Sequence, residues 1–121
     1  MPIPNWIREL FQTIDTNDPA GFASFLTPDA SFVFANAEPV RGKDAAREAV
    51  AGFLASIKAI RHEVFDAWQQ PDAVVCHGRV TYTRHDSSQL SVPFANVFKM
   101  RDGLIRDYLI YVDASELYKT A

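Results

Sequence analysis

The sequence lacks the features that mark several common classes of protein. It has a single cysteine, Cys76, so no disulfide can form within the chain. It has no run of basic residues, and its net charge of −3 provides no electrostatic footprint for nucleic acid. No apolar stretch is long enough to span a membrane, and the first residues lack the charged start and apolar run of a secretory signal. We therefore expect a cytoplasmic protein with neither a nucleic-acid nor a membrane partner.

Hydrophobic residues, in contrast, are present in the proportion that a globular domain needs. They make up 48% of the 121 residues, an ordinary fraction for such a protein. A chain of this length can bury roughly two-thirds of its unfolded surface, enough for a core and a pocket. No repeat or linker interrupts it, so we expect one domain over residues 1–121. Cys76 falls within a predicted strand, where it reads as a small buried hydrophobe rather than a nucleophile.

Three consecutive strands in the second half organise the chain. Residues 73–84, 90–100 and 104–112 are rich in β-branched and aromatic residues, and turn residues separate them. The second turn contains Asp102-Gly103, a strong signal for a hairpin. A meander of this length needs a cover on one face to be stable.

The first half of the sequence supplies that cover. We expect a helix from Pro4 to about Asn17, a short helix from Asp18, a strand at 30–35, a helix at 43–57 and a strand at 60–68. Strands gathered after helices indicate an α+β fold with the helices on one face of an antiparallel sheet. A strongly curved sheet of this kind leaves a conical cavity, which is a natural ligand site.

Short phrases at fixed places in this succession of elements carry a family resemblance. They are Val40-Arg41-Gly42-Lys43-Asp44-Ala45, Val92-Pro93-Phe94, Asn96-Val97-Phe98, Asp102-Gly103-Leu104-Ile105 and Tyr111-Val112-Asp113. Through them the chain resembles the SnoaL-like group of the nuclear transport factor 2-like superfamily. The resemblance implies a cone-shaped α+β barrel, in which three helices close the concave face of a strongly curved mixed or antiparallel sheet, and a homodimer packed through the sheet. Ketosteroid isomerases, polyketide cyclases, limonene epoxide hydrolases and dehydratases share this fold, so fold alone does not assign a function.

The limonene epoxide hydrolases provide a residue-by-residue test of that resemblance. Their Tyr-x-Asn pair aligns with Phe34-Ala35-Asn36, which keeps the asparagine and lacks the phenol. Their Arg-x-Asp pair aligns with Arg79-Val80-Thr81, which keeps the arginine and lacks the carboxylate. Their last-strand acid aligns with Ile110. Because both carboxylates are missing, we do not expect this mechanism of water activation.

The same alignment predicts which side of each strand faces the cavity. If Arg79 points inward, then His77, Thr81 and Thr83 do so too, because side chains alternate along a strand. On the other strands the expected inward sets are Ile60, His62, Val64, Asp66 and Trp68; the alternate residues from Leu90 to Met100; and Arg106, Tyr108, Ile110 and Val112. A register slip of one residue would reverse any of these faces.

Two residues are candidates for a catalytic base. His62 can act as an acid or base near neutral pH, and the alternative is a half-buried histidine with satisfied hydrogen bonds. Asp113 resembles the recurrent acid at the end of the last strand of the family, and the alternative is an N-cap for the segment after it. Asp15 either approaches the cavity mouth, as an acid does in several relatives, or caps a turn.

A second set of residues is predicted to bind substrate: His77, Arg79, Asn96, Tyr108, Asn36, Trp6 and Phe34. Arg79 could anchor an anion or pair with a carboxylate. Tyr108 and Asn96 could donate hydrogen bonds to a carbonyl, or be hydrogen-bonded residues of the wall. No spacing indicates a metal site, and no cofactor is expected.

Two kinds of function are compatible with such a pocket. One is an enzyme of the isomerase, cyclase or dehydratase kind, acting by acid–base chemistry on a small hydrophobic carbonyl compound. The other is a domain that binds a small hydrophobic ligand without transforming it, or that serves protein interaction. The sequence leaves this choice open.

Overall fold

The first half of the chain forms three helices. The computed structural model describes residues 3–118, and its helices are α1 (Asn5–Asp15), α2 (Pro19–Ala23) and α3 (Lys43–Ala55). Helix α1 buries Ile7, Leu10, Phe11 and Ile14, the spacing of one helical face. Helix α2 begins as predicted, with Pro19 in its first turn and the Asp18 carboxylate accepting a hydrogen bond from the Gly21 N–H at 3.0 Å.

Six strands form one sheet. They are β1 (Leu26–Phe34), β2 (Val40–Arg41), β3 (Ala59–Gln70), β4 (Ala73–Thr83), β5 (Gln89–Arg101) and β6 (Leu104–Val112), in the order β2-β1-β6-β5-β4-β3. The β1–β6 pair is parallel and the other pairs are antiparallel. The sheet is strongly curved without closing into a barrel, and the helices lie on its concave face. The predicted α+β cone fold is confirmed.

The sequence predicted the turn between β5 and β6 correctly, but it predicted the start of β1 too late in the chain. Asp102 and Gly103 have φ angles of 54° and 80°, as a type I′ hairpin turn requires, so the turn prediction is confirmed. Strand β1 starts earlier than expected, at Leu26, because β6 extends alongside this segment. The Ile105 N–H donates to the Phe25 carbonyl at 2.8 Å.

Strand β4 faces the opposite way from the prediction. Val74, Cys76, Val80 and Tyr82 are buried against the helices, whereas His77 and Arg79 are exposed on the outer face of the sheet. The prediction that His77 and Arg79 point into the cavity is therefore wrong, and Thr81 and Thr83 share the outer face with them. The physical reason is that the apolar half of an alternating strand is buried and the polar half stays hydrated.

A β-bulge divides strand β3. Val64 pairs with Gly78 and Asp66 with His77, so Phe65 is an extra residue. Ile60, His62 and Val64 face inward as predicted, but beyond the bulge Ala67 is buried, and the inward placement of Asp66 and Trp68 is wrong.

Gly78 makes the close approach at this bulge possible. A Cβ atom at position 78 would lie 1.9 Å from the Glu63 carbonyl oxygen. Only glycine allows the two backbones to come so close.

A second bulge divides strand β6. Met100 pairs with Ile105 and Lys99 with Asp107, which leaves Arg106 unpaired and exposed. The expected inward placement of Arg106 is therefore wrong, while Tyr108, Ile110 and Val112 do face the cavity.

Strand β5 follows its prediction. Phe94, Asn96 and Phe98 are buried, and Leu90, Val92 and Met100 pack against the core.

Candidate functional site

An apolar cavity of about 260 Å³ lies between the helices and the concave face of the sheet. We call it the chamber. Its polar lining residues are Glu38, His62, Tyr82, Asn96 and Tyr108, and the other lining side chains are aliphatic or aromatic. Because pockets of this kind use a few polar groups to orient a ligand and apolar walls to bind it, these five residues are the candidates for orienting a ligand.

Asp15 holds His62 through both of its carboxylate oxygens. The Nδ1 atom of His62 lies 2.6 Å from Oδ1, and the backbone N–H of His62 donates to Oδ2 at 3.0 Å. Asp15 is the last residue of α1, and His62 lies on β3. The turn-capping alternative for Asp15 is wrong, because the carboxylate bonds to His62 instead.

Aromatic rings fix the orientation of the imidazole. Phe11 stacks on the His62 ring with a centroid distance of 4.4 Å, and Phe94 meets it edge-on at 5.4 Å. With Nδ1 engaged by Asp15, Nε2 is the ring nitrogen that remains for a ligand in the chamber. This arrangement is that of a base oriented by a carboxylate.

The pair of His62 and Asp15 separates the chamber from a polar surface depression. The depression has a volume of about 270 Å³, and Arg8, Gln12, Asp15 and His62 contribute its polar lining. His62 thus borders both spaces, and its side chain is only 10% exposed, against 22% for that of Asp15. The imidazole can exchange protons with a ligand on one side while its partner carboxylate contacts solvent on the other.

The phenols and the thiol near the chamber remain protonated. Burial raises the pKa of Tyr108 well above its ordinary value, and the neighbouring Cys76 and Asp15 raise it further. Burial also raises the pKa of Tyr82 to about 12 and that of Cys76 to about 12. Tyr108 is therefore a hydrogen-bond donor, and Cys76 is not an activated nucleophile.

Asn96 lines the chamber and carries an unpartnered polar atom that is itself buried. Its residue is only 2% exposed, and its side-chain oxygen Oδ1 accepts no hydrogen bond within the described part of the chain. Buried polar groups are hydrogen-bonded in the great majority of cases. The unsatisfied oxygen at Asn96 is therefore a cost to the stability of the fold.

Four more residues were candidates for the site, and the structure places only one of them at the chamber. Phe34 lines the chamber as expected. Trp6 instead packs edge-on against Phe98 at a centroid distance of 5.7 Å, and Asn36 is exposed in the turn after β1. Asp113 is exposed at the end of β6, where its carboxylate accepts a hydrogen bond from the Ser115 N–H at 3.1 Å. Of these four residues, only Phe34 can touch a ligand in the chamber.

His77 and Arg79, on the outer face of the sheet, contact polar groups there. His77 Nδ1 lies 3.5 Å from a carboxylate oxygen of Asp66, and Arg79 donates to the Ser91 carbonyl at 3.2 Å. Among the described residues no arginine lines the chamber, and Glu38 is the only carboxylate in its wall. The arginine flanked by two carboxylates that epoxide hydrolysis uses in the related enzymes is not present there.

Residues 3–118 provide neither a cluster of metal ligands nor a membrane-spanning helix. Within that range no three His, Cys, Asp or Glu side chains come together as metal ligands would. None of its helices combines the length and the apolar character needed to cross a membrane.

Comparison with known proteins identifies the family. The profile of the SnoaL-like domain matches residues 7–108. The chain belongs to the SnoaL-like family. A comparison with curated protein sequences finds no match.

Solved structures of low sequence identity share the fold of this SnoaL-like protein. An NTF2-like protein of unknown function from Burkholderia pseudomallei superposes with a TM-score of 0.84 at 16% identity, covering 93% of this chain and 92% of that one. A candidate SnoaL-like polyketide cyclase from a Jannaschia species has a TM-score of 0.81 at 17% identity, with 93% and 86% covered. An epoxide hydrolase from Mycobacterium tuberculosis, similar to limonene epoxide hydrolase, has a TM-score of 0.79 at 12% identity, with 94% and 84% covered.

Proposed function

We propose that this SnoaL-like protein is an acid–base enzyme of the isomerase, cyclase or dehydratase kind, acting on a small hydrophobic carbonyl compound. The observation that carries the proposal is the 2.6 Å contact between His62 Nδ1 and Asp15 Oδ1 at the wall of the apolar chamber. A histidine oriented by a carboxylate beside an apolar pocket is a suitable general base. The candidate polyketide cyclase among the structural neighbours is consistent with chemistry of this class.

In this mechanism His62 removes a proton from the carbon next to the carbonyl. The proton moves to Nε2, and the electron pair of the broken C–H bond forms the double bond of an enolate. Asp15 stabilises the resulting imidazolium, and the protonated phenol of Tyr108 donates a hydrogen bond to the enolate oxygen. The proton then returns from Nε2 to carbon or to a leaving group.

Exchange of the protons next to a ketone with deuterium tests the proposal. The probe is 2-tetralone in deuterated buffer, followed by proton NMR with the wild type and with His62→Gln. We expect the wild type to accelerate exchange and His62→Gln to lose a factor of roughly 10² to 10⁴. His77→Gln is the matched control, because His77 also faces a carboxylate but lies on the outer face; it should exchange at the wild-type rate.

Non-catalytic binding of a small hydrophobic ligand is the second candidate function. It is favoured by the same chamber, whose walls are aliphatic or aromatic apart from five residues. If wild-type protein binds 2-tetralone but leaves exchange at the rate of protein-free buffer, binding is the function and the enzyme proposal fails. His62→Gln would then change the affinity only slightly.

We also propose that the outer face of the sheet forms a homodimer. A continuous apolar stripe crosses five strands there, through the paired residues Trp68, Val75, Val97, Leu109 and Val33. Phe65 and Tyr111, both large and exposed, lie beside it. A partly exposed apolar stripe with exposed aromatic residues beside it is typical of an interaction site. The unpaired Cys76 is compatible with the proposed cytoplasmic location.

A further inference from the structure

A carboxylate lies where the chamber opens to solvent. Of the residues that line the chamber, only Ala37 and Glu38 are exposed, and both belong to the turn between β1 and β2. We call this end of the chamber its mouth. Glu38 takes part in none of the ion pairs formed among residues 3–118. A ligand group that reaches the mouth therefore meets a negative charge without a counter-ion.

The rest of the chamber offers no positive charge to an anion. No arginine or lysine of residues 3–118 lines it. His62 is the one lining residue that can become cationic, but its Nδ1 atom lies 2.6 Å from the Asp15 carboxylate, so the pair as a whole is neutral or negative. An anion would lose its hydration against aliphatic and aromatic walls and gain no counter-ion in return.

We infer that Glu38 is a specificity-determining residue that discriminates against anionic compounds, so that the ligand is an uncharged ketone, ester or amide and not a free acid. The inference rests on the proposed function, since it narrows the substrate class of the same chamber. An acid with an apolar ring would place the ring among the apolar walls and its carboxylate toward water at the mouth, where Glu38 lies. Even in water, two like charges about 4 Å apart lower the affinity by a factor of roughly five.

Two naphthalene probes of nearly equal shape test this charge selectivity without requiring turnover. A cavity of about 150 Å³ is known to admit benzene, so the chamber, at about 260 Å³, has room for two fused rings. The probes are 2-naphthamide, which is uncharged, and 2-naphthoate, which is anionic at neutral pH. Isothermal titration calorimetry at low ionic strength gives both affinities. We expect the wild type to bind 2-naphthamide about tenfold or more tighter than 2-naphthoate.

Charge reversal at the mouth should change the affinity for the anion alone. In Glu38→Lys we expect 2-naphthoate to bind roughly three- to tenfold tighter than it binds the wild type, because repulsion is replaced by attraction. The affinity for 2-naphthamide should stay nearly unchanged, which also shows that the variant is folded. High salt should reduce the gain for 2-naphthoate, because the charges at the mouth are exposed to solvent and are screened.

Glu48→Lys is the matched control. Glu48 is an exposed carboxylate of α3 that does not line the chamber, so this variant has the same net charge as Glu38→Lys and should bind both probes as the wild type does. Equal wild-type affinities for the two probes would overturn the inference, as would a wild type that binds neither. A gain for 2-naphthoate that is absent from Glu38→Lys, or equal in Glu48→Lys, would overturn it as well.

The deuterium exchange of 2-tetralone separates this inference from the proposed function. If exchange fails but the charge selectivity holds, the proposed reaction is wrong and the role of Glu38 stands. If exchange occurs but 2-naphthoate binds as tightly as 2-naphthamide, the role of Glu38 alone is wrong.

Discussion

Asp15 and His62 are 47 positions apart in the sequence, and the carboxylate of the first binds both the ring and the backbone of the second. These two contacts join the end of α1 to β3 and orient the imidazole at the chamber wall. Asp15 is a positioning residue in the proposed reaction, because it acts on the substrate only through His62.

Replacing Asp15 by asparagine should separate its structural role, which is to join α1 to β3, from its role in orienting the His62 imidazole. Asp15→Asn keeps the size of the side chain, but an amide can hold His62 in the wrong tautomer. We expect the exchange rate of 2-tetralone to fall by a factor on the order of 10² to 10⁴, with little change in its affinity. Asp66→Asn, which alters the exposed pair with His77, serves as the control and should leave exchange unchanged. Full activity in Asp15→Asn would contradict the role of the pair.

The protein without ligand should become more stable when Asn96 is replaced by leucine. Leucine is similar in size, and the change removes a buried oxygen that has no partner. We expect the free energy of unfolding in urea to rise by about 1 kcal/mol. Asn36→Leu should change it by less than about 0.5 kcal/mol, as exposed substitutions usually do. A loss of stability in Asn96→Leu would show that the amide has a partner in the folded protein.

Two glycine-to-alanine substitutions should change stability in opposite directions. Gly78→Ala places a Cβ 1.9 Å from the Glu63 carbonyl oxygen, so backbone must move, at a cost of about 1–3 kcal/mol or more. Gly52→Ala meets no atom within 4 Å in the interior of α3. It should stabilise the protein by roughly 0.5–1 kcal/mol. Urea denaturation measures both, and a stable Gly78→Ala variant would contradict the geometry of the bulge.

Asp29 should titrate well below an ordinary aspartate. Hydrogen bonds from Arg101, and then from Thr27, lower its pKa from 3.8 to about 2. Because the folded-state pKa is depressed, the pair stabilises the fold above the pKa of the unfolded chain, and this contribution is lost as the pH falls through about 2.

NMR titration of the Asp29 carboxyl group in the wild type and in Arg101→Gln measures this effect. We expect the pKa to move back toward 3.8 in the variant. Asp86 is the control: its pKa is lowered first by hydrogen bonds from Ser88, so it should not move. An Asp29 pKa that is unchanged in Arg101→Gln would assign the shift to another cause.

A lysine in the outer apolar stripe should disrupt the proposed homodimer. Val97 lies in the middle of that stripe, paired with Val75 on one side and Leu109 on the other. We expect sedimentation velocity to show a dimer for the wild type and a monomer for Val97→Lys. Ala51→Lys adds the same charge on an exposed part of α3 and should remain dimeric. A monomeric wild type, or a dimeric Val97→Lys, would refute this interface.

Local sequence patterns predicted the parts of the structure that depend on short-range preferences. The order of helices and strands, the Asp102-Gly103 turn and the inward face of β5 follow from periodicity and turn chemistry. The inward placement of His62 follows from the same alternation, since no bulge separates it from Ile60. Such features need only the residues within a few positions of each other.

The tertiary structure determines the positions of the β-bulges and the buried face of β4, which alternation along a single strand does not predict. The bulges at Phe65 and Arg106 shift the faces of β3 and β6 by one residue, and they depend on what the neighbouring strand allows, as Gly78 shows. Alignment to the limonene epoxide hydrolases predicts that Arg79 points inward, whereas burial of the apolar half of β4 turns it outward.

The sequence by itself determined the fold and the apolar faces of its elements, because both depend on hydrophobic periodicity summed over whole elements. Only the folded chain brought Asp15 to His62 and buried Asn96 Oδ1 where none of residues 3–118 donates a hydrogen bond to it. Those relationships join residues far apart in the sequence, through the curvature of the sheet and the packing of α1 on it. Side-chain partners of this kind are set by three-dimensional distance, which spacing along the chain does not encode.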